Sequence, residues 1–243
     1  MKIIVIGYSD YKEKDIIVNA ISEDGPISFK VRGALNPNSA FVWLKTPLVT
    51  ADVNWVENIR YRHQILKEAK LLSSPLVSDA SFDTMVDIDF VMEIINKMFP
   101  DTEKHLLFHE IEKFLKADRS AELSRPFYQL IFLAKAIQAV GSGLEVDHCV
   151  FCDNKDDIVA FSFNEGGFIC RSCLQPEMSI HLNPAQMKLV RYVFKTDSYF
   201  FDKDKFDGLK KENIKTVFIN FNEYIKDGIG VYIEAIDKII NRL

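Results

Sequence analysis

Four cysteines place the strongest constraint on how this chain can fold. Cys149, Cys152, Cys170 and Cys173 follow the spacing C-x2-C-x17-C-x2-C, and no cysteine lies elsewhere. Two residues between the members of a pair let one tight turn aim both sulfurs at a single point. Two such turns close a tetrahedron around a borderline cation such as zinc. The 17 intervening residues suffice for a small hairpin: Ile158-Val159-Ala160-Phe161-Ser162-Phe163, a turn at Asn164-Glu165-Gly166-Gly167, then Phe168-Ile169. The spacing falls within the window of zinc sites, whereas a redox pair sits at the start of a helix in a βαβ unit, which neither pair here does. A catalytic zinc keeps one position open beside three protein ligands. With four thiolates available, the expectation is one structural Zn2+ ion in a module spanning residues 144–175, with His148 flanking Cys149 and not ligating.

The apolar period changes along the chain. Up to about residue 72 it reads as short strands: Ile3 to Ile6, Asp15 to Ile21, and Ile27 to Gly33, the last alternating apolar and polar residues as a half-buried strand does. Phe41 to Leu44, Leu48 to Val56 and Arg60 to Leu72 supply further candidates. Many short strands joined by Gly, Pro and Asn turns point to a small barrel, and about five strands in about 75 residues fit an OB-type barrel. Near Ser73-Ser74-Pro75 the period becomes helical. Val86, Phe90, Ile94 and Met98 recur every four residues, and Pro100 ends that helix. Leu106, Leu107, Ile111, Phe114 and Leu115 mark a second helix. Pro126 to Val140 marks a third, with a stripe of Phe127, Leu130, Ile131, Ala134 and Ile137. Asn183-Pro184 opens another, and Lys215 to Leu243 carries apolar residues at helical spacing interrupted by Gly228 and Gly230. The expected class is α+β: an N-terminal OB-fold barrel over 1–76, then an all-helical domain over 77–243 with the zinc module inserted.

Charge limits the partners. The formal net charge is −5, so the chain is not a globally basic nucleic-acid binder, and any such contact must use a local patch. Residues 1–75 hold 10 Lys/Arg against 8 Asp/Glu, and residues 76–243 hold 20 against 27. The start, MKIIVIG, lacks the regions of a signal peptide, and no stretch approaches the roughly 18 apolar residues of a membrane span. A cytoplasmic protein without a membrane anchor is expected. No phosphate-binding Gly loop, nucleophile elbow or HExxH zinc motif occurs. His63, His105, His109, His148 and His181 are scattered, and His105 and His109, spaced i, i+4 on a helix, have no third donor nearby. A binding protein, not an enzyme, is the reading.

On the barrel, Lys12, Lys14, Lys30, Arg32 and Lys45 are the candidate phosphate contacts. Lys30 and Arg32 alternate along one strand and so share a face. OB barrels hold single strands by pairing such cations with stacked aromatics, and Tyr8, Tyr11, Phe29, Phe41 and Trp43 are candidates for stacking.

Two segments together resemble the RecO family of bacterial recombination-mediator proteins. The first runs Gly7-Tyr8-Ser9-Asp10-Tyr11-Lys12-Glu13-Lys14-Asp15-Ile16-Ile17-Val18, then Gly25-Pro26-Ile27, Val31-Arg32-Gly33-Ala34 and Ser39. The second is Gly143 to Cys152 with Phe161-Ser162-Phe163, Gly166-Gly167 and Cys170 to Cys173, and Ile65 to Leu72 is similar to the strand that closes that family's barrel. The resemblance implies an OB fold followed by a helical domain with the cysteine module. It implies a non-enzymatic, bacterial, nucleoid-associated protein that binds single- and double-stranded DNA and anneals complementary strands. It further implies recognition of the C-terminal tail of single-stranded DNA-binding protein and, with RecR, loading of RecA in DNA repair and recombination. Arg125, with Phe127 and Ile131, is the expected site for that tail, since an Arg supplies a charge-assisted contact to a carboxylate. Two departures stand out. The loop after Arg32-Gly33, rich in Lys and Arg in the family, reads Ala34-Leu35-Asn36-Pro37-Asn38-Ser39 here, with no cation. Asp153-Asn154 replace the Gly that often follows the first cysteine pair. The alternative is therefore an interaction scaffold with a structural zinc and no DNA binding, and a second rival is a zinc-dependent or thiol-redox enzyme.

Overall fold

A computed structural model describes residues 1–56, 64–178, 182–202, 204–206 and 208–243. The chain divides into two compact units, Met1–His109 and Glu110–Leu243, so the first helices beyond residue 76 group with the strands.

The first unit is built on five strands, β1 (Lys2–Tyr11), β2 (Asp15–Ser22), β3 (Gly25–Val31), β4 (Thr50–Trp55) and β5 (Gln64–Ser73). They close into a barrel in the order β1-β2-β3-β5-β4. β3 and β5 pair in parallel, and the other pairs are antiparallel. Closure removes the exposed edges that a five-stranded sheet would otherwise carry. Alternation decides the interior: Ile16, Val18 and Ala20 of β2 and Phe29 and Val31 of β3 are buried with Ile3, Val5, Val49, Ala51 and Val53. Phe41 to Leu44, expected as a strand, is instead a connection ending in a 3-10 turn, Val42–Lys45. Only Leu44 of that turn is fully buried, so the segment lacks the period of two that a half-buried strand needs. Leu44 and Ala34 plug the barrel core, with Leu35, Phe41 and Trp43 packed around them. Arg60 to His63, the start of the last expected strand, lie outside the described residues.

Pro75 opens a single turn, α1 (Pro75–Ser78), and α2 (Phe82–Met98) follows. Ser81 caps α2 by accepting from the Thr84 amide. The expected four-residue stripe is its buried face: Val86, Phe90, Ile94 and Met98, joined by Val91 and Ile95. A 3-10 turn, Lys104–Leu107, leads into α3 (Phe108–Lys116). His105 therefore sits in the turn and His109 in the helix, and the pair does not share one helical face. His109 faces Glu23 at 3.1 Å.

In the second unit α4 (Ser124–Ala139) is the central helix. Phe127, Leu130, Ile131, Phe132, Leu133, Ala134, Ala136 and Ile137 are all fully buried, so it is covered on nearly every side. Pro126 lies in its first turn, where its missing N–H would have no intrahelical partner. The strands β6 (Ile158–Ser162) and β7 (Gly167–Cys170) form the hairpin of the cysteine segment. α5 (Pro184–Lys195) starts with a complete capping box, Asn183 and Gln186 each bonding the other's backbone N–H. The C-terminal stretch is not one helix. α6 (Lys211–Tyr224) passes into a π turn (Ile225–Ile229), Gly230 takes φ 79°, and α7 (Glu234–Ile240) follows. A left-handed Gly ends a helix at low cost. Among the described residues no helix is long and apolar enough to cross a membrane.

Candidate metal centre and barrel surface

Two tight turns and one hairpin bring the cysteines together. After the first pair, the Asp153 amide donates to the Cys149 carbonyl at 3.0 Å and the Cys149 amide to the Asn154 carbonyl at 2.8 Å. Asp153 takes φ 57° in this turn, a left-handed conformation that Asp tolerates, so the Gly expected there is dispensable. After the second pair, the amides of Cys173 and Leu174 both donate to the Cys170 carbonyl, each at 3.1 Å. β7 carries Cys170 opposite Ile158, and the Val150 amide donates to the Phe168 carbonyl at 2.9 Å, joining the first turn to the hairpin. The four sulfurs then lie within 4.8 Å of one another, with Cys152 Sγ and Cys170 Sγ 3.6 Å apart. A zinc ion at ~2.3 Å from each sulfur sets them about 3.8 Å apart in a regular tetrahedron. The donor set and its spacing fit such an ion.

The electrostatics of the cage are uneven. Burial opposes ionisation of Cys149, but backbone N–H groups of Cys170, Phe151 and Cys152 directed at its sulfur outweigh burial and bring the thiol to about 6. Cys173 is pushed up to about 12, first by its hydrogen bond with Cys152 and then by burial and the other thiols. Without a cation the four cannot ionise together. A divalent ion reverses that balance, because a coordinating thiol is deprotonated outright.

His148 is not part of the sulfur cluster. Its Nε2 lies 3.4 Å from Glu145 and its Nδ1 3.3 Å from Asp153. Glu145 was not singled out by spacing or motif, yet it organises the approach to the cage. Its carboxylate accepts from the amides of Asp147 and His148, at 2.7 and 3.2 Å. Its backbone bonds both Gly166 and Phe168. Asp147 ties the module to α5 through Lys195 at 2.6 Å and Arg191 at 3.6 Å. The Lys195 hydrogen bond, and then the nearby positive charges, hold its carboxyl below the usual carboxylate range. Arg171 closes on Asp157 at 3.1 Å.

On the barrel, Lys12, Lys14, Lys30 and Arg32 gather where the β1–β2 turn meets the end of β3. Lys12 takes φ 58° in that turn, and its Nζ lies 5.5 Å from the Tyr11 ring centre. Lys30 Nζ is 4.9 Å from the same ring, but it is also 2.7 Å from Asp15, with both side chains only 18% exposed. Lys12, Lys14 and Arg32 are exposed. Lys45 stands apart, lining a cleft of about 570 Å³ with Tyr8, Pro47, Met85, Ile88 and Met92. Of the aromatics, Tyr8 is 44% exposed, whereas Phe29 is fully buried against Trp55 and has no face for a base. Trp43 Nε1 donates to the Ala40 carbonyl.

Arg125, Phe127 and Ile131 do not form a groove. Phe127 and Ile131 are fully buried, and Phe127 packs among Tyr128, Tyr192, Phe201 and Phe206. The helical spacing that made them look like one stripe is the spacing of a core face. Likewise Asp15, which neutralises Lys30, was missed, although the β2–β3 register sets it beside the end of β3, with Ile16 opposite Val31.

Comparison with known proteins agrees with this architecture. The chain is 26% identical over 240 residues to the DNA repair protein RecO of Bacillus mycoides (strain KBAB4), covering 96% of this chain and 92% of that protein. It is 25% identical over 240 residues to the DNA repair protein RecO of Halalkalibacterium halodurans, covering 96% and 90%. A family model described as "Recombination protein O C terminal" matches residues 81–219. That match spans α2 to α6, the four-cysteine module included, and the chain belongs to the RecO family.

Proposed function

We propose that this chain is a DNA-repair and homologous-recombination mediator that binds and anneals single-stranded DNA. With RecR, it helps load RecA onto strands coated by single-stranded DNA-binding protein. The observation that carries the reading is similarity over 96% of the chain to proteins named for DNA repair, on a chain whose closed barrel precedes a four-cysteine helical domain. It acts by binding and not by catalysis, in the bacterial cytoplasm at the nucleoid.

On this reading Lys12, Lys14 and Arg32 neutralise phosphates at one end of the barrel, and Lys45 does so beside Tyr8. Lys30 contributes less because Asp15 already occupies it. Sequence-blind contacts to phosphates and base faces suit annealing, which must accept any strand. Double-stranded DNA meets the same cations. The four cysteines hold one structural Zn2+, whose binding supplies folding free energy to the two turns and the hairpin that carry them. The acidic tail of single-stranded DNA-binding protein meets Arg125, with an apolar wall other than the buried Phe127 and Ile131.

Fluorescence anisotropy with labelled single-stranded DNA tests the central claim. The full chain should bind at low salt, and Lys12→Ala with Lys14→Ala should weaken binding regardless of base sequence. No binding at low salt would leave the interaction scaffold as the function. That rival is favoured by two observations, the cation-free loop 34–39 and the Lys30–Asp15 pair. Metal analysis should return one zinc per chain with thiols slow to react. Freely titrating, cycling thiols would point to redox chemistry.

A further inference from the structure

The cleft of about 570 Å³ beside Lys45 lies wholly within the first unit, between β1 and α2. Neutralising a phosphate accounts for its one cation and for nothing else in it. The rest of the lining is mostly apolar and includes Ile6, Pro47, Leu76, Met85, Ile88 and Met92. Met85 stays 51% exposed and Tyr8 44% exposed. Contiguous apolar surface left open in this way marks an interaction site or a ligand groove.

Two side chains indicate what fills it. The ring and hydroxyl of Tyr8 meet no ring, cation or hydrogen-bond partner among the described residues. Tyr11, on the same strand, is already engaged by Lys12 and Lys30. Lys45 is half-buried, and it too has no hydrogen bond or ion pair among the described residues. The cleft thus offers a free π face, a free cation and an apolar lining. The register of β1 against β2 also shifts between Val5 and Gly7, at the wall of the cleft. Such bulges re-aim side chains beside functional sites.

We propose that this cleft receives one unpaired base of a single strand. The base lies on the Tyr8 ring among the thioethers of Met85 and Met92, and its phosphate meets Lys45. Thioethers adapt to purines and pyrimidines alike, and stacking on an aromatic ring tolerates every base. Asp89, the other charged residue of the lining, repels phosphate, so the backbone passes on the Lys45 side. A base carries its polar groups on its edge and presents two apolar faces. An extended peptide would instead bring amides against Met85, Ile88 and Met92, which cannot bond them. Such a site presupposes that the chain binds DNA. It lies apart from the face of the second and third strands that OB barrels commonly use. A base held there is withdrawn from pairing, so a duplex does not enter.

The test is anisotropy of the full chain with labelled oligothymidylate of about 12 nucleotides, within the site size of an OB fold, and with an abasic strand of the same length. The abasic strand should bind about tenfold more weakly, the equivalent of ~1.4 kcal/mol. Tyr8→Ala should bring oligothymidylate down to the abasic level and leave the abasic strand and double-stranded DNA unchanged. Tyr8→Phe keeps the ring and should keep the difference. Lys45→Ala should weaken both strands alike and make the log–log salt slope shallower by about 0.7. Equal affinities for the two strands would overturn the base site and leave DNA binding intact, whereas binding of neither would overturn both. An acidic, apolar-ended peptide that binds the wild type but not Tyr8→Ala would give the cleft to a protein segment and overturn the base site as well.

Discussion

Asp15 takes a cation away from the surface that most needs one. Its carboxylate lies 2.7 Å from Lys30 Nζ and accepts from the Gly33 amide at 2.9 Å. The Lys30 hydrogen bond, then the Gly33 amide, hold its carboxyl below the usual carboxylate range, against a smaller effect of burial. A lowered carboxyl stabilises the folded barrel above the ordinary Asp value and loses that contribution as pH falls through the lowered one. Asp15→Asn keeps an acceptor for Gly33 and releases Lys30. The expected result is tighter single-stranded DNA binding at low salt, with a log–log salt slope steeper by about 0.7, the share of one added phosphate contact. The same variant should lose the acid-range part of its stability difference. An unchanged slope would show that Lys30 touches no phosphate. Phe29 teaches a related point: alternation along β3 sets it opposite Lys30, inside the barrel with Val31, so its aromatic ring was never a surface.

At the scale of the element, the hairpin of the cysteine module depends on one close approach. A Cβ on Gly167 would lie 2.2 Å from the Glu145 carbonyl oxygen, the atom that accepts from the Phe168 amide at 3.0 Å. Gly166 has φ 82° and open space around its Cα. Gly167→Ala should therefore cost about 3 kcal/mol through steric strain, and Gly166→Ala about 1 kcal/mol through backbone conformation alone. Thermal unfolding gives the order, and release to a chromogenic chelator of the metal ion proposed for the cysteines should be faster for Gly167→Ala only. Equal behaviour of the two variants would refute the close approach. The hairpin itself was legible because cysteine spacing, two apolar runs and a Gly-Gly turn all agree. α2 was legible because its stripe repeats every four residues, and α5 because Asn183-Pro184 carries its own start signal. Other elements were not. Phe41 to Leu44 is apolar for plugging the barrel, a tertiary use that local pattern does not distinguish from a strand. The break after Tyr224 depends on Gly228 and Gly230, which weaken a helix without fixing where it stops. The residues around the cage were invisible for another reason: the Glu145 backbone pairs with Gly166 and Phe168 and the Asp147 side chain with Arg191 and Lys195, all more than 20 positions away.

At the scale of the whole molecule, binding to a polyanion must overcome a net charge of −5. The excess of acid falls beyond residue 75, while residues 1–75 hold 10 Lys/Arg against 8 Asp/Glu. Attraction is therefore local and short-ranged, since at physiological salt charges separated by more than about 8 Å are largely screened. On the proposed reading the phosphate contacts are Lys12, Lys14, Arg32 and Lys45, with Lys30 held by Asp15. Four contacts to a single strand give a log–log salt slope of about −2.8, so raising salt fourfold should weaken binding about 50-fold. Lys12→Ala with Lys14→Ala should halve that slope to about −1.4, because both residues belong to one turn of the barrel and each removes one contact. Oligonucleotides of different base composition should bind within a few-fold of one another, as backbone contacts carry no sequence information. Titrations of the full chain at four salt concentrations read all three quantities. A slope near zero with retained affinity would mean that stacking and not phosphate neutralisation holds the strand, and would move the binding surface from the Lys12–Arg32 end of the barrel toward the cleft at Tyr8 and Lys45.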